Sequence, residues 1–271
     1  MEESIGQNGT RWTLVTGASG GIGAELARQA ALDGSNVVLV ARNLEAMEQV
    51  ASGFRSVAGI ETRCLPQDLS EPDAAVRVHD WCCEQGIQVS SLINNAGFGD
   101  QAAFLDSDWK RQQDMVQVNL VALMQMSYLF GNDMRRRGQG QILNLSSVAA
   151  FMPGPYMSMY YATKGAVLQF SEALAYELRG TGVTVTALCP GPTSTGFERN
   201  AHMKGSSMFM HPQSAADVAA AGYAAMKAGK PVAYCSSTTK VGNVLARLLP
   251  RSVMAWIAAS IDRESREGSR R

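Results

Sequence analysis

Between residues 12 and 235 the chain alternates two hydrophobic periods, and this alternation limits its fold more than any other feature. Trp12–Thr16 reads as a strand, Gly21–Leu32 as a helix, and the unbroken apolar run "NVVLVA" at Asn36–Ala41 as a strand buried on both faces. Helices are expected near Leu44–Phe54 and Asp73–Glu84, and strands near Glu61–Leu65 and Ser91–Ile93. Long helices at Asp108–Arg137 and Met159–Arg179 flank a strand at Gln141–Ser146, and Val183–Cys189 and Pro231–Cys235 supply two further strands. Strands joined through helices form parallel sheets covered on both faces. The expected fold class is therefore α/β, a doubly wound, seven-stranded parallel sheet with helices on both faces. No repeat or linker interrupts the pattern, so residues 11–271 read as one domain behind a polar, flexible tail at 1–10.

The first strand-to-helix turn lies within "TLVTGASGGIGAEL", where Gly17, Gly20, Gly21 and Gly23 fall within seven residues. Glycine lets the backbone bend tightly and approach a ligand, and the free N–H groups of the helix that follows point at an anion. Alone, such a turn also suits a crowded strand-to-helix contact. Its place in a βαβ unit points to a pyrophosphate.

Composition removes several classes. The 271 residues are 46% hydrophobic and 18% charged, enough apolar mass for a substantial core. Lys plus Arg equals Asp plus Glu at 24 each, so no overall field recruits a polyanion, and no nucleic-acid partner is expected. The cysteines Cys64, Cys82, Cys83, Cys189 and Cys235 are odd in number, include a vicinal pair, and share no zinc-type spacing with His79, His202 or His211. They read as reduced thiols, with no metal site. Glu2 and Glu3 stand where a secretory leader would be basic, and no apolar run reaches the roughly 18 residues of a membrane span. A cytoplasmic protein is expected. "VMAWIAASI" reads as a packed terminal helix, with a membrane-surface helix ahead of an Arg-rich tail as the alternative.

"TGASGGIG" resembles the Thr-Gly-x-x-x-Gly-x-Gly fingerprint of the classical branch of the short-chain dehydrogenase/reductase family. In chain order, "NNAG" at Asn94–Gly97, Asn119 in "VNLVAL", Ser147 in "LNLSSVAA", "YYATK" at Tyr160–Lys164 and "PGPTST" at Pro190–Thr195 resemble its other landmarks. Within the family, "LVARN" and "PGPYMSMYYATK" look most like bacterial reductases grouped with DltE-type oxidoreductases. The resemblance implies a Rossmann fold, a nicotinamide dinucleotide, hydride transfer to or from a small-molecule carbonyl or alcohol, and a homodimer or homotetramer. It places the dinucleotide on Gly17, Ser19, Gly21, Ile22 and Gly23, with Asp68 and Leu69 flanking the adenine. Asn94, Asn95, Ala96 and Gly97 would run beside it, joined by Tyr160, Lys164, Pro190, Gly191, Thr193 and Thr195.

On a helix, Tyr160 and Lys164 share a face one turn apart, so the ammonium can favour the ionised phenol. That would draw the tyrosine from its usual pKa of about 10 toward working pH, where it exchanges a proton with an alcohol or carbonyl oxygen. Tyr161 also lies within one turn of Lys164, and spacing leaves it open; the family pattern Tyr-x-x-x-Lys selects Tyr160. Ser147 follows the fifth strand at the carboxyl edge, where its hydroxyl can steady the substrate oxygen. Ser146 is the neighbouring alternative, and the resemblance prefers Ser147. Asn119 corresponds to the family asparagine that holds a water near the lysine, which completes a catalytic set of Asn119, Ser147, Tyr160 and Lys164.

NAD-binding folds usually carry an acid about 20 residues past the glycine turn, to receive both ribose hydroxyls. Ala41 and Arg42 stand there instead, and the Arg42 guanidinium can pair with a 2′-phosphate, helped by Ser19 or Asn43. NADP (NADPH) is therefore expected over NAD, although Gly20 fills the position where many NADP-preferring relatives place a second basic residue. Residues 196–211, with Phe197, Met203, Met208, Phe209 and Met210, resemble the family's substrate lid. With Met152, Met157 and Met159 they suggest a lipophilic ketone, aldehyde or secondary alcohol. The alternatives are a catalytically silent NADP-binding regulator, an NAD-dependent alcohol dehydrogenase of the same fold, and an epimerase or dehydratase of the extended branch. Chain length and glycine spacing oppose the last.

Overall fold

The computed structural model describes residues 11–54, 59–201, 203, 212–236, 240 and 249–268; the tail at 1–10 and residues 204–211 of the expected lid, including Met208, Phe209 and Met210, lie outside them. The chain runs β1 (Trp12–Thr16), α1 (Gly21–Leu32), β2 (Asn36–Ala41), α2 (Leu44–Ser52), β3 (Thr62–Pro66), α3 (Ala74–Glu84) and β4 (Val89–Asn94). It continues through α4 (Trp109–Val116), α5 (Leu123–Arg137), β5 (Gly140–Leu145), α6 (Ser158–Glu177) and β6 (Val183–Cys189). Then come β7 (Thr193–Ser194), α7 (Phe197–Asn200), β8 (Gln213–Ser214), α8 (Ala215–Lys227), β9 (Val232–Tyr234) and α9 (Arg251–Gly268). Seven parallel strands form one sheet in the order β3-β2-β1-β4-β5-β6-β9. The order reverses between β1 and β4, and the carboxyl ends of strands at such a point open onto a crevice.

Period-two alternation splits each strand between two cores. Leu14, Val38, Val40, Leu92 and Ile142 pack toward Val78 of α3 and toward Met126, Phe130 and Met134 of α5. Val15, Val37, Leu39, Ile93, Leu143 and Leu188 pack toward Leu26 and Ala30 of α1, Met47 of α2, and Val218 and Met226 of α8. Each of the larger side chains contributes about 1.5–3 kcal/mol relative to exposure, so both helix layers are held to the sheet along its length.

The sheet has the expected strands, and two local departures have physical causes. The helix expected at Asp108–Arg137 is one rod interrupted by a π-helical turn at Gln117–Ala122, which carries the fully buried Asn119. Such widened turns arise where a side chain takes a partner outside the helix. Asn94 does not run beside the crevice. As the last residue of β4, in register with Asn144 of β5, it turns its side chain into the core and donates to Asn144 Oδ1 at 2.9 Å and Ser127 Oγ at 3.1 Å. The terminal helix α9 packs by one face: Met254 and Ala258 are buried, whereas Trp256 is 70% exposed. No helix among the described residues is long and apolar enough to cross a membrane.

Candidate active site

The turn after β1 is shaped by what surrounds it. Gly17 has φ +66°, and a Cβ there would lie 2.8 Å from Asn95 Nδ2 and 2.9 Å from Ala96 Cα. A Cβ at Gly23 would meet the Gly17 carbonyl oxygen at 2.3 Å and Asn95 Nδ2 at 2.4 Å. These glycines let α1 start directly against the turn after β4. Asn95 stitches the two turns: its amide donates to the Thr16 and Gly17 carbonyls at 2.9 and 3.2 Å. The Asn95 and Ala96 N–H groups both donate to Thr16 Oγ1 at 3.0 Å.

Over these turns opens a cleft of about 1210 Å³ along the carboxyl edge of the sheet. The sequence-predicted residues Ser19, Gly21, Ile22, Arg42, Asn43, Asp68, Leu69, Asn95, Ala96 and Gly97 line it, as do Pro190, Gly191, Thr193 and Thr195 beyond β6. Ser147, Tyr160 and Lys164 line the same cleft; Gly23, Asn94 and Asn119 stand behind its wall. Sequence reasoning missed Phe98, Arg111 and Ala258 as lining residues. Phe98 directly follows the "NNAG" stretch and could have been read from it, whereas Arg111 and Ala258 are brought in by packing between distant segments.

Arg42 is 78% exposed on the side chain and lies 3.9 Å from the Asp68 carboxylate. Burial raises the Asp68 pKa, but hydrogen bonds from the Ser70 N–H and hydroxyl, with the Arg42 charge, outweigh it and hold the carboxyl below its usual value. Asn43 caps α2, accepting from the Ala46 N–H at 3.0 Å, so its amide N–H₂ is the part left to face the cleft.

The turn after β5 separates the two serines. Ser146 Oγ donates to the Lys164 carbonyl at 2.9 Å and is buried. Ser147 Oγ accepts from the Ala149 N–H at 3.1 Å and faces the Tyr160 phenol, whose pKa it lowers. Of the two tyrosines, Tyr161 packs its ring over Gly154, where an added Cβ would lie 2.2 Å from it. Tyr160 is the one that meets Ser147 and Lys164.

Lys164 Nζ lies 5.8 Å from the Tyr160 ring centroid and donates to the Leu145 carbonyl at 2.8 Å. Behind it, Asn119 clamps the backbone of one residue with both ends of its amide: Oδ1 accepts from the Phe98 N–H at 3.0 Å and Nδ2 donates to the Phe98 carbonyl at 2.9 Å. Nδ2 also donates to Thr163 Oγ1, whose hydroxyl donates to the Tyr160 carbonyl.

The electrostatics depart from the expectation that the ammonium lowers the phenol. Burial pushes Tyr160 up to about 12, against the opposing hydrogen bond from Ser147, and pushes Lys164 down to about 8. At this separation, desolvation outweighs the attraction of the ammonium for the phenolate. Because the folded pKa of Lys164 is depressed, its favourable contribution is present above the unfolded value near 10.5 and is lost as pH falls through about 8. Lys164→Met should therefore gain on the wild type by about 3 kcal/mol as pH falls from 10.5 to 7. Denaturant melts of both proteins across that range check it; a constant difference would refute the depressed lysine.

The short chain dehydrogenase family profile matches residues 11–204. Mouse 17-beta-hydroxysteroid dehydrogenase type 3 is 32% identical over 195 residues, 71% of this chain and 62% of that enzyme. Human very-long-chain 3-oxoacyl-CoA reductase is 31% identical over 196 residues, 70% and 61% of the two chains. These matches thus span about three-fifths of the relatives' own length. A short-chain dehydrogenase from Sphingobium yanoikuyae, solved in complex with NADPH, superposes with a TM-score of 0.79 at 28% identity, over 88% of this chain and 94% of that one.

Proposed function

The chain belongs to the short chain dehydrogenase family, and on that premise we propose that it is an NADP(H)-dependent oxidoreductase interconverting a lipophilic carbonyl compound and its secondary alcohol. The observation that carries this reading is the meeting of the Tyr160 phenol, the Ser147 hydroxyl and the Lys164 ammonium in the cleft that the glycine turn opens into. The turn fits a dinucleotide: its side-chain-free wall admits a close pyrophosphate, and Gly20 has nothing within 4 Å of an added Cβ. Gly17, Ser19, Gly21 and Ile22 would hold the pyrophosphate, Asp68 and Leu69 the adenosine, and Lys164 the nicotinamide ribose. When bound, the nicotinamide supplies or accepts the hydride.

The chain's own residues handle the oxygen. Ser147 donates a hydrogen bond to the carbonyl oxygen and orients it toward the Tyr160 hydroxyl, which gives that oxygen its proton in reduction and takes it back in oxidation. Lys164 lowers the cost of the phenolate, and Asn119 keeps the loop at Phe98 in place beside it. Met152, Met157, Phe197 and Met203 supply an apolar surface for the rest of the substrate. The likeness to DltE-type reductases, a homodimeric or homotetrameric state and a cytoplasmic location, which suits five free thiols, belong to the same proposal.

The test is a panel of ketones, aldehydes and secondary alcohols with each nicotinamide cofactor, followed by nicotinamide absorbance. Turnover of bulky apolar carbonyls with NADPH is expected; cofactor binding without turnover of any carbonyl would favour the silent regulator. Arg42→Ala should weaken NADPH binding by about tenfold, the value of one charge-assisted pair, and leave NADH within about twofold. Equal losses in titrations with the two cofactors would refute the phosphate contact.

A further inference from the structure

The geometry points to Arg111, which lies outside the proton-transfer set, as the positioning residue that fixes α7 over the substrate side of the cleft. From α4 its side chain reaches three acceptors on two other segments. Nε donates to Asp100 Oδ1 at 2.8 Å, and Nη2 donates to the carbonyls of Gly99, at 3.3 Å, and of Asn200, the last residue of α7. The guanidinium also sits 5.2 Å from the Phe98 ring centroid.

Its anchor is rigid. The Asp100 side chain is 6% exposed, and its second oxygen accepts from Gln112 Nε2 at 2.9 Å, so successive residues of α4 hold one carboxylate from two sides. The far end is a carbonyl that a helix terminus leaves without an intrahelical partner, which a cation suits. A planar fork reaches all three acceptors at once; a lysine ammonium on the same stem cannot.

What α7 carries gives the tether its consequence. Phe197 stands with its ring centroid 5.3 Å from that of Tyr160, and it fits there because Gly99 has no side chain: a Cβ would meet Phe197 Cζ at 2.8 Å. Gln101 N–H donates to the Ala201 carbonyl at 3.0 Å, a second tie between the same two segments. Arg111 thereby sets the height of Phe197 above the reacting oxygen and keeps water from that side of Tyr160. Its effect on substrate rests on the proposed carbonyl reduction; its effect on α7 does not.

The experiment uses the full chain with Arg111→Met, Arg111→Lys and Asp100→Asn. Tryptic cleavage after Arg199, followed by mass spectrometry, reads the tether without reference to activity. We expect it about tenfold faster in Arg111→Met and intermediate in the other two variants. In NADPH-dependent carbonyl reduction the KM should rise about tenfold with kcat changed less than about threefold and NADPH affinity unchanged. Unchanged cleavage overturns the proposal, as does faster cleavage with unchanged KM, or a Tm loss in which KM, kcat and NADPH affinity worsen together. A wild type that reduces no carbonyl overturns the functional reading and the substrate effect, while the cleavage rates still decide the tether.

Discussion

Replacing Tyr160 by Phe should lower kcat by about a thousandfold, within the range a single general acid–base group supplies, while NADPH affinity stays within about twofold. The substitution removes one oxygen and keeps the ring that packs against Phe197 and, at 6.2 Å between centroids, against Tyr161. Folding should therefore be unaffected, and single-turnover kinetics isolate the chemical step. Since desolvation pushes the partly buried phenol up to about 12, the unmutated residue holds its proton at neutral pH, as the proposed reductive direction requires. Turnover at the wild-type rate in the variant would remove Tyr160 from the mechanism.

The second large effect is expected from one methyl group. Gly23→Ala places a Cβ within 2.4 Å of both the Gly17 carbonyl oxygen and the Asn95 amide, and neither can retreat. The first is backbone, and the second is held by the Thr16 and Gly17 carbonyls. The start of α1 must shift from the β1 and β4 turns, which should destabilise the fold by about 3 kcal/mol and weaken dinucleotide binding at least about a hundredfold. Gly20→Ala is the control for folding, since its Cβ meets nothing within 4 Å. Thermal melts of the pair should separate cleanly, and cofactor titration of Gly23→Ala against the wild type reads the loss of binding. Equal behaviour would show that the turn is not packed as described.

The strand and helix beat was legible because each strand is an apolar run bounded by turn residues, and the two-faced burial of β2 follows from "NVVLVA" itself. Asn94 was misplaced because motif position was read without strand parity. As the last residue of β4 it faces the α5 and α6 side, where Asn144, Ser127 and Ser171 complete its polar cluster. The choices between Ser146 and Ser147 and between Tyr160 and Tyr161 could not be made from spacing, because neighbours one residue apart differ only in what they pack against. In the structure Tyr161 packs on Gly154 and Ser146 donates to the Lys164 carbonyl. The π-helical turn left no trace in a helical period that tolerates one extra residue. Arg111 was invisible for a related reason: its acceptors at 99, 100 and 200 converge only after the sheet has formed.

The cleft also has a wall from the far end of the chain. Ala258 of α9, 2% exposed, lines it, yet lies beyond residues 11–204, the span that the family profile matches. Ser147, Tyr160 and Lys164 thus come from one stretch of the chain, and part of the cleft's shape from another. Substituting Ala258 in the terminal helix is therefore a way to reshape the cleft that leaves the sheet untouched.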